Sequence, residues 1–439
     1  MNVAEPPTVV IVGGGFAGVG CAKELAKHDV RTILIDKHNY HQFQPLLYQV
    51  ATDQLASSDV ARPLRGIFRK DQSVEVKLAE VVKVDAAGRA VTTQDGITYH
   101  GDHLVLAGGA QPNFFHTPGA DTHAFPLYSL GDAERLRSRI LAVFEDADRN
   151  PDLVQRGALN FVVVGGGPTG VETAGALGDL VTEVMPGRYH DLAVRAAQVH
   201  LVDLGHVVLA PFSDDAHDYA AKALQRKGVR LHLGVAVKEI AADKVVLSDG
   251  TVILTRTAVW GGGEMASPIA ALSSLPQGRG GRIDVQPDLT VEGVPGVHVL
   301  GDLANIPGHD GEALPQLGSV ALQSGTWAAR NIVATINGKQ PRPFSYHDKG
   351  IMAMIGRNAA VAEVGAKHHA LHGPIAFAAW LGVHAWLMSG VRQRIDAFVS
   401  WGWDYFSKGR SPAVLDRPDA ARIDWGDDDD EDEDAAKAP

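Results

Sequence analysis

Two stretches of this chain space their glycines as a phosphate-binding turn does. Gly13-Gly14-Gly15-Phe16-Ala17-Gly18 and Gly165-Gly166-Gly167-Pro168-Thr169-Gly170 both read G-x-G-x-x-G. In such a loop the first glycine makes the turn and the second lets a pyrophosphate approach the backbone. The third lets helix and strand pack closely. A short buried-strand pattern precedes each copy, at residues 9–12 and 161–164, and a helix-like run follows, at 19–27 and 171–184. That order aims backbone amides and the positive end of a helix at the ligand. Each unit also closes its next strand with an acid, Asp36 and Asp203, which suits a ribose hydroxyl. No arginine directly follows Asp203, which favours a free 2′-hydroxyl, and hence NADH over NADPH. Two dinucleotide sites in one chain imply a flavin and a nicotinamide with a hydride passing between them.

The elements that must position these residues repeat as well. Hairpin-like strands follow each copy, at 90–93 with 97–106 and at 244–247 with 251–260. The fold class expected is therefore α/β, with two Rossmann-like dinucleotide-binding domains, the second nested in the first. Residues 1–125 and 276–340 are assigned to the FAD domain and 126–275 to the NADH domain. The strand-like run Val297-His298-Val299-Leu300 ends in Gly301-Asp302 and leads to a helix candidate at 315–329. A C-terminal module spans 341–420, and an acidic tail expected to be disordered spans 421–439.

Composition narrows the function classes. The 439 residues are 45% hydrophobic and 21% charged, ordinary for a soluble chain of two or three domains. The net charge of −12 argues against a nucleic-acid partner, and most of it sits in the unbroken acidic run 427–434. One cysteine, Cys21, excludes a disulfide framework, a cysteine zinc site and a redox dithiol. The polar start has no secretory signal, so a cytosolic setting is expected. Residues 373–391 pass without Asp, Glu, Lys or Arg, short for a bilayer span and suited to a buried or interfacial helix. In that region Phe377, Trp380, Leu381, His384, Leu387, Met388 and Val391 recur at helical spacing. Phe398, Trp401, Trp403, Tyr405 and Phe406 then interleave with Arg392, Arg394, Lys408 and Arg410, which fits an anionic membrane surface. His368, His369 and His372 have no acidic or cysteine partner nearby in sequence, so no metal is expected.

In this order the residues resemble the type II NADH dehydrogenases, single-chain, non-pumping NADH:quinone oxidoreductases. The resemblance covers about residues 8–410 and is most specific at Phe43-Gln44-Pro45-Leu46-Leu47-Tyr48-Gln49-Val50-Ala51-Thr52. Phe125-Pro126-Leu127, the run 165–172 and the C-terminal Trp380-Leu381, His384, Gly390, Arg392 and Arg394 also fit. It implies FAD held by Gly13, Gly15, Phe16, Ala17, Gly18, Asp36, Lys37, Val82, Gly108, Asp302, Gln316 and Leu317. It implies NADH at Gly165, Gly167, Pro168, Thr169, Gly170, Asp203 and Gly263. Glu172, Tyr48, Ser319 and Gln323 are the residues implied to act on the acceptor, with Glu172 helping to protonate it. The C-terminal module is implied to be an amphipathic membrane anchor supporting a homodimer at the cytoplasmic face of the membrane.

Two departures stand out. The family carries two glutamines four residues apart after the Gly-Asp turn; here Gln323 matches the second, but Ser319 replaces the first. Glu264 ends the run Trp260-Gly261-Gly262-Gly263, where the family has an apolar residue. Ser319 motivates the competing reading, an FAD-dependent NADH oxidoreductase whose acceptor is oxygen or a soluble carrier. A non-enzymatic redox-reporting module is the third. Sulfide:quinone and disulfide oxidoreductases need paired cysteines and are excluded.

Overall fold

The computed structural model describes residues 6–308, 311–365, 368–407, 410, 414–415, 423 and 425. The acidic run 427–434 and Lys408 lie outside the described residues. The chain divides into two compact units, each discontinuous in sequence.

The first unit comprises 1–43, 61–113 and 264–348. Its β-branched segment Thr8–Val12, buried from Val9 onward, forms a central parallel strand between Arg31–Asp36 and His103–Leu106. Val74–Leu78 and Val294–Val299 extend the sheet in parallel, and the short strand Thr290–Val291 closes one edge antiparallel to make six strands. The helix Phe16–Ala26 lies against the helix Gly318–Ile336 at very short range: a Cβ on Gly325 would come within 2.1 Å of the Ala17 carbonyl oxygen. Cys21 is fully buried on the first of these helices. A three-stranded hairpin sheet, Val81–Asp85, Ala90–Thr93 and Thr98–His100, completes the unit.

The second unit comprises 44–60, 114–263 and 349–439. Five parallel strands run in the order Ala124–Pro126, Thr257–Trp260, Asn160–Val164, Gln198–Asp203, Val229–Leu233. Val237–Ile240, Lys244–Leu247 and Val252–Leu254 repeat the hairpin sheet of the first unit. The long helix Leu130–Arg149 starts on a reciprocal capping box between Ser129 and Asp132, which satisfies two amides at its N-terminus.

The C-terminal residues differ from the expectation of a separate helical module. They open with an antiparallel sheet, Gly350–Gly356, Ala359–Val364 and His369–His372, and this packs directly on the helix Pro168–Asp179. Only glycine fits at 175 of that helix, because a Cβ there would sit 1.9 Å from the Ile355 carbonyl oxygen. The three histidines 368, 369 and 372 therefore lie at an exposed strand rather than along a helix, and among the described residues no metal-binding cluster forms. Two helices follow, Pro374–Leu387 and Val391–Ser407. Trp380 and Met388 turn inward, but Ile375, Trp386 and Leu387 are exposed, so the first helix is apolar on both sides rather than amphipathic. Among the described residues no helix is long and apolar enough to cross a membrane. Two residues of the segment 421–439 are described. Ile423 is buried, and the Trp425 indole donates to Asp146 at 3.0 Å with the Arg256 guanidinium 4.9 Å above its ring. Aromatic and aliphatic surface is worth burying even where the flanking chain is acidic.

Candidate active site

The two glycine loops have nearly the same geometry. Gly13 and Gly165 take φ of +107° and +109°, open to glycine alone, and each leads into a helix whose first residue is Phe16 or Pro168. A Cβ on Gly18 or Gly170 would overlap the carbonyl oxygen of its own loop's first glycine, at 1.8 Å in both cases. By contrast, a Cβ on Gly15 or Gly167 would meet nothing within 4 Å. That open ground over a helix N-terminus without an acidic first turn is a cradle for a pyrophosphate. The acids behave alike too. Asp36 accepts from the Gly14 amide at 2.5 Å and the His38 amide at 2.6 Å, while Asp203 accepts from Gly166 at 2.5 Å and Gly205 at 2.6 Å. Each carboxylate is thus aimed across its own loop.

In the first unit, other predicted cofactor residues gather around this cradle's sheet. Gly108 follows the strand His103–Leu106 and packs on Ser267 and Ile269. Phe16 meets His41 and Phe43 edge-on, while Lys37 follows Asp36 at the end of its strand. Val82 sits at a register shift between Val81 and Lys83, so its backbone is outside the ladder. Asp302 has a buried carboxylate oxygen, Oδ1, with no protein partner. Its carboxyl is pushed up to about 6 by burial, against the pull of Arg282. An orphaned buried acceptor calls for a donor from a ligand, and a ribityl hydroxyl is such a donor. Gln316 grips the Asp302 carbonyl at 3.2 Å, and Leu317 caps the Gly318 helix. Water reaches Glu264, yet the protein packed around it pushes its carboxyl up to about 7, with the Asp302 charge adding.

Ser319 and Gln323 lie on that same helix, and the structure shows what each touches. The Ser319 hydroxyl pairs with the Tyr346 hydroxyl at 2.8 Å. Gln323 clasps the His347 backbone, donating to its carbonyl and accepting from its amide, both at 3.0 Å. Sequence reasoning missed Tyr346. The signal was present as a stripe at four-residue spacing, Ser319, Gln323, Trp327 and Asn331, which every turn presents to the same neighbour.

In the second unit, Glu172 and Tyr48 come together. Glu172 is buried on the Pro168 helix and accepts from the Met354 amide at 3.1 Å. Burial pushes its carboxyl up to about 8, so it holds its proton at neutral pH. The Tyr48 hydroxyl donates to the Met354 sulfur at 3.4 Å and receives the Gln49 amide at 3.0 Å. Gln49 in turn accepts from the Trp401 indole at 2.7 Å. Gln49, Met354 and Trp401 also line an apolar cavity of about 300 Å³, walled by Phe377, Leu381 and Phe398. Gln49, Met354 and Trp401 lay outside the predicted set. Gln49 lies in the run that carries the resemblance and Trp401 among the aromatics read as membrane-facing, but their meeting is not signalled locally, because the contacts span hundreds of residues. Gly263 has φ +154° beside Phe115.

This geometry is that of a class of flavoprotein built on two dinucleotide folds. Residues 7–325 match the pyridine nucleotide-disulphide oxidoreductase family model. Two Mycobacterium tuberculosis proteins, the type II NADH:quinone oxidoreductases Ndh and NdhA, are 37% and 36% identical to it. Their alignments cover 94% and 93% of this chain and 91% and 89% of theirs. The structure of Plasmodium falciparum NDH2 in complex with NADH superposes with a TM-score of 0.86 over 93% of this chain and 100% of that one, at 18% identity. The chain belongs to the type II NADH:quinone oxidoreductases, within the pyridine nucleotide-disulphide oxidoreductase family. With a single cysteine it cannot form within one chain the disulphide for which the wider family is named.

Proposed function

We propose that this chain binds FAD in its first unit and NADH in its second, and passes two electrons from NADH to a membrane quinone without pumping protons. The carrying observation is the duplicated glycine cradle, joined in the first unit alone by the unpartnered Asp302 oxygen. Bound FAD supplies the two-electron chemistry between nicotinamide and quinone. The chain's own residues bind, orient and hold protons. Asp36 and Asp203 take the ribose hydroxyls, and the open amides at Gly15 and Gly167 take the pyrophosphates. Phe16, Ala17, Lys37, Val82, Gly108, Gln316 and Leu317 complete the FAD contacts; Pro168, Thr169 and Gly263 complete those to NADH. Glu172 keeps a proton at its carboxyl through neutral pH and is the acid for the reduced acceptor. Met354, bonded to both Glu172 and Tyr48, lines the apolar cavity with Gln49, and the cavity suits a quinone entering tail-last. Ser319, paired with the Tyr346 hydroxyl, is assigned to the acceptor, and Gln323 braces the chain beside it.

The enzyme is read as peripheral, on the cytoplasmic face, and as a homodimer. Support for the membrane comes from Ile375, Trp386, Val399, Trp403 and Phe406, all more than half exposed on the last two helices, with Arg392 and Arg394 beside them. Flotation with vesicles containing anionic lipid tests this. The wild type is expected to float, and Trp386→Glu/Trp403→Glu to remain soluble; equal flotation rejects the anchor.

The reaction itself is tested anaerobically. NADH should bleach the flavin and a menaquinone analogue should restore it. Bleaching without return leaves the NADH half-reaction and removes the quinone.

A further inference from the structure

The side chains of the Gly318 helix that face residues 342–347 form four rungs, and one of them is unlike the others. Asn331 clasps the Arg342 backbone, donating to its carbonyl at 2.9 Å and accepting from its amide at 3.0 Å. The Trp327 indole donates to the Arg342 carbonyl at 3.0 Å, and Gln323 clasps His347. These three rungs hold backbone, and they suffice to lay the segment along the helix. The fourth, Ser319 to Tyr346, joins hydroxyl to hydroxyl.

A hydroxyl pair has two protons and one bond between its oxygens. Whichever oxygen donates, the second O–H finds no acceptor among the described residues, and because both residues are only half-buried it is open to solvent or to a ligand. The Tyr346 ring packs on the first unit's core and is half-buried, so its hydroxyl is held in place rather than free to swing. Burial raises the phenol's pKa, so it remains a donor throughout the physiological range.

The surroundings select what accepts that bond. Ser319 is in the first turn of a helix with no acidic residue in that turn and no side-chain cap, so its amides present positive charge. Gln316, just before it, is bonded to Asp302, whose buried Oδ1 has no protein partner. A hydroxyl donor beside a positive helix end favours an oxygen that becomes more negative as the reaction proceeds.

We propose that Tyr346, held by Ser319, donates a hydrogen bond to a conjugated carbonyl oxygen that gains charge on reduction, on the quinone or on the flavin ring. The inference rests on the NADH:quinone reading above. Tyr346 donates a bond and keeps its proton, so it orients the acceptor and strengthens its pull on electrons, and Ser319 is the positioning residue behind it.

The test uses full-length enzyme with FAD bound and the variants Tyr346→Phe and Ser319→Ala. Phenylalanine keeps the ring in the core, and a melting temperature close to wild type checks this. Three readouts are compared: the rate of anaerobic bleaching by NADH, kcat and KM for a short-chain menaquinone analogue, and the flavin midpoint potential. If the quinone carbonyl is the acceptor, Tyr346→Phe bleaches at the wild-type rate but loses about tenfold in kcat/KM for quinone. Ser319→Ala then loses less, chiefly through KM. If the flavin carbonyl is the acceptor, Tyr346→Phe instead moves the midpoint potential to a more negative value. A folded Tyr346→Phe with wild-type quinone kinetics and wild-type potential overturns the proposal. Failure of the wild type itself to reduce quinone would sink the functional reading alone, and the potential would still decide the role of Tyr346.

Discussion

Replacing Glu172 with glutamine removes a proton while preserving shape, because the glutamine oxygen can still accept from the Met354 amide. The folded carboxyl ionises near 8 and the unfolded one near 4.5. As pH rises, the unfolded chain gives up this proton first. Between those two values the folded chain binds more protons, so stability falls with rising pH and levels off above 8. Over pH 6 to 8 that linkage amounts to about 2 kcal/mol. Glu172→Gln has no such slope, so for a chain of 439 residues its melting temperature should gain on the wild type by roughly 2 °C between pH 6 and pH 8. Thermal melts of FAD-saturated protein at pH 6, 7 and 8 measure it. In stopped flow, bleaching by NADH should be unchanged, while quinone-driven return of flavin absorbance slows roughly 100-fold at pH 7, as expected on losing a general acid. A melting difference that stays constant across pH refutes the buried, protonated carboxyl. Unaltered reoxidation refutes its catalytic role while leaving its burial intact.

The glycine loops separate stability from binding. Gly18→Ala forces a Cβ to 1.8 Å from the Gly13 carbonyl and should yield unstable or insoluble protein. Gly15→Ala meets no protein atom, so the apoprotein should melt as wild type while FAD retained through purification falls at least about tenfold. Asp203→Ala should raise KM for NADH about tenfold and leave the FAD content at one per chain, measured by absorbance. Unchanged NADH kinetics would falsify the assignment of the second loop.

Local chemistry was the legible part of this molecule. The strand, loop, helix and acid of each dinucleotide site fall within a few dozen consecutive residues, and φ above +100° at Gly13 and Gly165 is the conformation their glycines announce. Cys21 could be read as a packing residue from its place on an apolar helix, and it is fully buried. Long-range burial was not legible. Glu172 could be named by resemblance, but its raised pKa depends on Met354 and the sheet around it, which arrive from elsewhere in the chain. The strand Gly350–Gly356 was missed because its residues, Gly-Ile-Met-Ala-Met-Ile-Gly, are apolar on both faces and show no alternation to betray it. Gln323 was read as a group awaiting a ligand. In the structure both ends of its amide engage the His347 backbone, a partner that sequence spacing alone cannot reveal.

The likeness of the two cradles has a consequence for selectivity. Their turns, helix contacts and acid-to-amide bonds match within a few degrees and a tenth of an ångström. Loops so alike offer the same welcome to any adenosine pyrophosphate, so they do not tell one dinucleotide from the other. Sorting must be done at the far ends of the two ligands, by groups without a twin, such as the Asp302 oxygen in the first unit. The glycines are then common parts of both sites, and the loops differ only at Phe16-Ala17 against Pro168-Thr169, where Phe16 also packs on His41 and Phe43.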